Sequence, residues 1–206
     1  MIKFLFFDLG STLIDESGCI EYRIQDLLRQ PNSPNREVLE RRMIELASQN
    51  KLPYKDAAKE YGLETIKWPK HLERVYEGIP EILAKLKSRY RLGVIANQSF
   101  GTEQRMKEYG IFNFFDIIIS SAEAGFEKPN PAIFQLALEK ANCNPDEAIM
   151  IGDRLDNDIE PAAGLGMHTI WVKQGAFAYG DVGLIKYKPE YTVDNVKKVL
   201  TILDEI

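Results

Sequence analysis

The chain has 206 residues, enough for one substantial domain or for one domain carrying an insertion. Hydrophobic residues make up 45% and charged residues 28%, the balance of an ordinary globular protein. A net charge of -5 argues against a nucleic-acid footprint, which needs clustered basic residues, and the two cysteines, Cys19 and Cys143, stand in no metal or redox spacing.

The first predicted element is an apolar run from Ile2 to Phe7, broken only by Lys3 and ending abruptly on Asp8. Gly10, Ser11 and Thr12 then turn the backbone. A run of this kind reads as a strand buried on both faces, as in a parallel sheet. It is too short for a membrane span or a secretory leader, and with two unpaired thiols a reducing cytoplasm is the expected location.

From Ser17 to about Tyr76 the pattern is helical. Ile20, Ile24, Leu27 and Leu28 share one helix face, and Leu39, Met43, Leu46 and Ala47 share another after a break at Pro31–Pro34. Asn35 or Ser33 is the expected cap of that second helix. A short helix from Tyr54 to Tyr61 closes at Gly62, and Glu64–Tyr76 is read as helical with an interruption at Trp68–Pro69.

After Gly78 helices and strands alternate. Pro80 opens a helix with Ile82, Leu83 and Leu86 inward, and Leu92–Ala96 is a strand ending on Asn97. Then come a helix over Thr102–Tyr109, a strand over Phe115–Ser120, a loop over Glu123–Pro129 and a helix opened by Asn130 and Pro131. Ala148–Gly152 and His168–Val172 are further strands, Ile159–Leu165 a short helix between them, and Val193–Leu203 a last helix. The alternation predicts an α/β fold with a parallel sheet and right-handed crossovers.

In such a sheet the strand tips share one edge, and that edge binds ligands. The tips here carry Asp8, Asn97 and Asp153, with Asp158 following in Gly-Asp-Arg-Leu-Asp-Asn-Asp and Lys128 in the loop after the third strand. Three carboxylates and a lysine would converge on one crevice. Carboxylate oxygens suit Mg²⁺, and an aspartate can act as a nucleophile toward phosphorus, with the cation and the lysine offsetting charge.

Asp8 with Thr12, Asn97, Lys128 in Lys-Pro, and Gly152-Asp153 through Asp158 form an ordered quartet of motifs. By them the chain resembles the haloacid dehalogenase (HAD) superfamily of hydrolases. The resemblance implies a Rossmann-like core, a parallel sheet flanked by helices, over 1–15 and 78–206 and an all-helical cap over 16–77. It implies Asp8 as nucleophile, with Thr12, Asn97 and Lys128 as catalytic partners. Asn97, Gln98 and Lys128 would meet the substrate, a small phosphorylated metabolite. Mg²⁺ would be held by Asp8, the Gly10 carbonyl, Asp153 and Asp158.

Two positions depart from the family pattern. The residue two after the nucleophile, an acid/base aspartate in most of its phosphatases, is Gly10. General acid–base help is worth about 10²–10⁴ in rate, so the loss is large unless another group substitutes. The hydroxyl residue that usually ends the second strand is Ala96, leaving Gln98 or Ser99 as candidate donors. Asp15, Glu16 and Asp156 read as solvated loop charges, His71 as an exposed helix residue and His168 as structural. Arg154 is either an anion contact or half of a surface pair, and Phe126 is expected to pack against the cap. Three readings remain open: a Mg²⁺-dependent phosphatase, slow or selective for want of an acid at position 10; a non-catalytic phosphate-binding or regulatory protein; and a haloacid dehalogenase.

Overall fold

β1 (Phe4–Phe7) lies inside the sheet with all four side chains buried, which is why its sequence shows no polar alternation. The computed structural model, which describes residues 1–205, has the further strands β2 (Ile14–Asp15), β3 (Arg74–Val75), β4 (Arg91–Ala96), β5 (Ile117–Ser120), β6 (Ala148–Gly152), β7 (His168–Val172) and β8 (Tyr191–Val193). Six of them form one parallel sheet in the order β5-β4-β1-β6-β7-β8. Asp8, at the end of β1, and Asp153, at the end of β6, follow adjacent strands paired in register, so they emerge side by side.

The two faces of β1 feed two cores. Leu5 and Phe7 pack with Leu92, Val94, Ile149 and Ile151 under the helices α4 (Ile79–Lys87), α5 (Thr102–Glu108) and α9 (Val199–Glu205). Phe4 and Phe6 pack on the opposite face with Ile133, Phe134 and Ala137 of α7 (Pro131–Ala141). Gly93 allows this close layering, since a Cβ there would lie 2.5 Å from the Phe6 ring. Asn130 caps α7 by accepting the Ala132 amide at 3.0 Å, and Pro131 starts it. A short helix α6 (Ser121–Ala124) occupies the start of the expected loop, and α8 (Glu160–Gly164) lies within the expected helix Ile159–Leu165 and follows a π-turn over Leu155–Ile159.

Between β2 and β3 come α1 (Ser17–Leu28), α2 (Arg36–Ser48) and α3 (Pro53–Glu60). They enclose their own apolar cluster of Ile24, Leu27, Leu39, Met43, Leu46, Tyr54, Ala57 and Leu63. The cap of α2 is Asn35, whose Oδ1 accepts the Val38 amide at 3.0 Å.

Two expectations are corrected. Glu64–Tyr76 is extended chain, a 3₁₀ turn over Lys70–Leu72 and the strand β3, which pairs antiparallel with β2, so the inserted block is not all helical. Its backbone bonds go to side chains instead: Glu64 exchanges two hydrogen bonds of 2.9 Å with Gln30, and the Ile66 amide donates to the Tyr54 hydroxyl at 3.3 Å. Pro69 also disfavours helical dihedrals at Trp68. At the other end, Val193 closes β8 rather than opening a helix, and the Asn195 side chain starts a 3₁₀ turn before α9. Among the described residues no helix is long and apolar enough to cross a membrane.

Candidate active site

The ends of β1 and β6, the π-turn after β6 and the loop before α7 bring Asp8, Asp153, Asp158 and Lys128 together. One carboxylate oxygen from each aspartate lies within 4.8 Å of the others. Lys128 is 3% exposed, and its ammonium donates to Asp8 Oδ1 at 2.6 Å, to Asp158 Oδ1 at 2.5 Å and to the Ile95 carbonyl at 2.9 Å. Fully ionised, three carboxylates against one lysine carry two negative charges in excess, which disfavours their ionisation. Burial, opposed by Lys128 and reinforced by Asp158, pushes the Asp8 carboxyl up to about 6. Burial and the neighbouring carboxylates hold Asp153 well above the ordinary range. The Asp158 and Asp8 charges outweigh desolvation at Lys128 and keep its ammonium protonated.

Local structure fixes each group. The Asp8 amide donates to the Ile151 carbonyl at 2.9 Å, and the Asp153 carbonyl accepts the Trp171 indole at 2.8 Å. The π-turn returns Asp158 toward the strand end, where its Oδ2 accepts the Arg154 amide at 3.0 Å. Gly152 makes that return possible, since a Cβ there would meet Asp158 Oδ2 at 2.4 Å.

The other sequence candidates divide. Asn97 holds the Lys128 backbone at both ends, donating to its carbonyl at 2.8 Å and accepting its amide at 2.7 Å, so it positions the lysine. Thr12 is fully buried, with its hydroxyl at 3.5 Å from Asp153 Oδ1. The Gln98 side chain accepts from Arg105 at 2.9 Å while lining the adjacent cavity. The Gly10 carbonyl accepts the Thr12 amide at 2.6 Å, which uses one of its two lone pairs. Ala96 is paired in register with Ser120, whose buried hydroxyl has no partner among the described residues. Arg154 pairs with Asp156 at 2.5 Å and stacks on Phe177. His168 pairs with Glu190 at 2.7 Å, and His71 is exposed. Phe126 is 41% exposed rather than packed.

Glu16 is a second kind of correction. It is not a solvated loop charge: it is part-buried, and its Oε2 accepts the Ser11 hydroxyl at 2.8 Å. Burial, with the Asp8 charge adding to it, pushes its carboxyl up to about 7. Gln174 carried no sequence signal at all, yet it donates to the carbonyls of Ser11 and Thr12 at 2.7 and 2.9 Å and pins the loop after β1. The same loop holds Ser11 at φ 53°, a conformation uncommon outside glycine.

A cavity of about 450 Å³ opens beside this loop, lined on the sheet side by Ser11, Asn97 and Arg154 and on the other by Arg23, Tyr54, Trp68 and Lys70. The Arg23 guanidinium lies 3.4 Å from the Tyr54 ring centroid and 5.3 Å from that of Trp68, with its buried Nε unpartnered among the described residues.

A family model described as haloacid dehalogenase-like hydrolase matches residues 5–172. A glyceraldehyde 3-phosphate phosphatase of Pyrococcus furiosus is 28% identical, the match covering 98% of this chain and 93% of that protein. Its counterpart in Pyrococcus abyssi is 30% identical over 85% of this chain and 83% of the other. Among solved structures, a haloacid dehalogenase-family hydrolase of Bacillus subtilis, crystallised bound to magnesium, superposes with a TM-score of 0.65 at 20% identity, over 98% of this chain and 99% of that one.

Proposed function

The chain belongs to the haloacid dehalogenase-like hydrolases, and from that premise we propose that it is a Mg²⁺-dependent phosphatase of a small phosphorylated metabolite, with Asp8 as nucleophile. The observation that carries this reading is the buried cluster in which Lys128 bonds both Asp8 and Asp158 beside Asp153. The phosphatases of Pyrococcus named above support the same chemistry.

The residues present fit a divalent cation. Their donors are hard carboxylate oxygens, they lie within 4.8 Å of one another, and their excess of two negative charges matches the ion. Asp8, Asp153 and Asp158 would hold it. Bound Mg²⁺ supplies charge neutralisation at the phosphoryl oxygens. The chain's own groups do the rest. Asp8 presents a carboxylate oxygen to phosphorus; Lys128 holds that carboxylate ionised and in place; Asn97 fixes the Lys128 backbone.

The helical block over 16–77 acts as the substrate cap in this reading. Arg23, Lys55 and Lys70 line the cavity without a carboxylate partner among the described residues, while Arg154 is paired. That surplus favours a metabolite whose body, beyond the phosphoryl group, is itself polar or anionic.

The test is turnover of a panel of phosphorylated metabolites with and without Mg²⁺, together with Mg²⁺ titration calorimetry. One cation site is expected, largely lost in Asp153→Asn. Because the site's raised carboxyls must release protons to bind a cation, affinity is expected to rise with pH through about 6. Equal Mg²⁺ binding by Asp153→Asn would remove the reading's main support.

A further inference from the structure

A phosphate ester of an alcohol leaves poorly as an alkoxide, so the reaction needs a proton donor near the scissile oxygen. Two carboxyl groups line the cavity beside the Asp8 loop, Glu16 and Glu73. Both oxygens of Glu73 are engaged, one by the Trp68 indole at 2.6 Å and the other by the Tyr109 hydroxyl. Glu16 differs. Its Oε2 accepts the Ser11 hydroxyl, and its Oε1 has no hydrogen-bond partner among the described residues. That free oxygen lies over Gly10: a Cβ built at position 10 would stand 2.7 Å from Oε1 and 3.1 Å from the carboxyl carbon. Glycine is therefore the residue that leaves room for this carboxyl group. The two other acidic loop residues do not compete, because Asp15 accepts the Ser17 amide at 2.9 Å and Asp156 is paired with Arg154.

We propose that Glu16 is the proton-transfer residue of the reaction, its carboxyl group occupying the space that a side chain at position 10 would fill. The assignment rests on the phosphatase reading above. In the first step an Asp8 oxygen forms a bond to phosphorus while the bond from phosphorus to the ester oxygen breaks. The electron pair of that bond goes to the ester oxygen, which takes the Glu16 proton and leaves as an alcohol. In the second step water attacks the phosphorus of the aspartyl-phosphate and gives a proton to the Glu16 carboxylate. The Asp8–phosphorus bond breaks with its electron pair returning to the Asp8 carboxylate. Inorganic phosphate departs, and Glu16 ends protonated as it began. Gly10 and Glu16 are in this sense one unit, with the acid carried by the first residues after β2 and not by the turn.

The experiment is turnover across a leaving-group series, from p-nitrophenyl phosphate to alkyl phosphates, in Mg²⁺. Three proteins are compared: wild type, Glu16→Gln, and the double variant Gly10→Asp with Glu16→Gly. Wild type should show a shallow dependence on leaving-group basicity. Glu16→Gln, which keeps the shape and an acceptor for Ser11, should lose about 10²–10⁴-fold on alkyl phosphates. On p-nitrophenyl phosphate it should release a rapid first equivalent of product and then stall, because the aspartyl-phosphate lacks its base. The double variant moves the carboxyl back to position 10 and should recover a large part of the alkyl-phosphate rate. Gly10→Asp alone should not improve on wild type, since Glu16 already supplies the proton. A Glu16→Gln enzyme with wild-type slope and wild-type rates, folded by its melting temperature, would overturn the assignment while leaving the phosphatase reading intact. Absence of turnover by wild type on every substrate would instead remove that reading, and this one with it.

Discussion

The sheet edge and the helical block bound one cavity with opposite constructions. At the sheet edge the charges are buried, mutually bonded and set by strand ends: Lys128 is 3% exposed, Asp153 3% and Asp158 1%. On the block side the cavity is lined by a guanidinium stacked on two aromatic rings, and the block's ion pairs lie outside, among exposed side chains such as Arg36–Glu21 and Arg42–Glu60. In the first region a change in one group is felt by every other, because a charge removed from a low-dielectric cluster leaves its partners unpaired. In the second the ion pairs are solvent-screened, so each contributes little. If Asp8 is the nucleophile and the block the substrate cap, chemistry sits in the coupled region and recognition in the other.

Substituting Lys128 probes the coupled side hardest. Lys128→Met leaves Asp8 and Asp158 without their shared cation, so it should abolish turnover and also lower stability by about 3–5 kcal/mol, the usual cost of breaking a buried pair. A chemical-denaturation curve measures the second effect. Adding Asp158→Asn should restore part of the stability and none of the activity, the signature of coupling within one cluster. Additive losses would mean that the edge is no more coupled than the block.

An intermediate effect belongs to Arg23. Arg23→Leu should raise KM for the best substrate about tenfold, or ~1.4 kcal/mol, with kcat nearly unchanged, since it removes binding shared by ground and transition states. A drop in kcat equal to the drop in kcat/KM would place Arg23 in the chemistry and break the division drawn above. The smallest effect is expected at the outer face of the block. Arg42→Ala, which removes the exposed pairing with Glu60 and Glu45, should cost only about 0.2–1 kcal/mol in denaturation and leave turnover alone.

The same division explains what was legible. The polar ends of the apolar runs were enough to place Asp8, Asn97 and Asp153 at strand tips and Lys128 in a loop at the same edge, because a parallel sheet puts every tip on one edge. Asp158 followed from its short separation from Asp153. The segment Glu64–Tyr76 was misread because its backbone is satisfied by the side chains of Gln30 and Tyr54, contacts that no local pattern records. The strand Tyr191–Val193 is three residues long and exists because β7 offers an edge to pair with. Asn97 was assigned to catalysis and substrate by the family resemblance; its hydrogen bonds add that it holds the Lys128 backbone, which no sequence pattern records.

The sequence by itself determined the parallel sheet, its buried central strand and the set of charged groups at its edge. Periodicity and strand-tip position depend only on residues close in the chain or on the topology that their alternation imposes. Only the tertiary structure decided the protonation balance of that edge, the role of Gln174 in holding the Asp8 loop and the fate of the space above Gly10. Each of these depends on which atoms come within about 3 Å after folding. A glycine reads in sequence as a missing carboxyl; in three dimensions the volume beside it holds the carboxyl of Glu16.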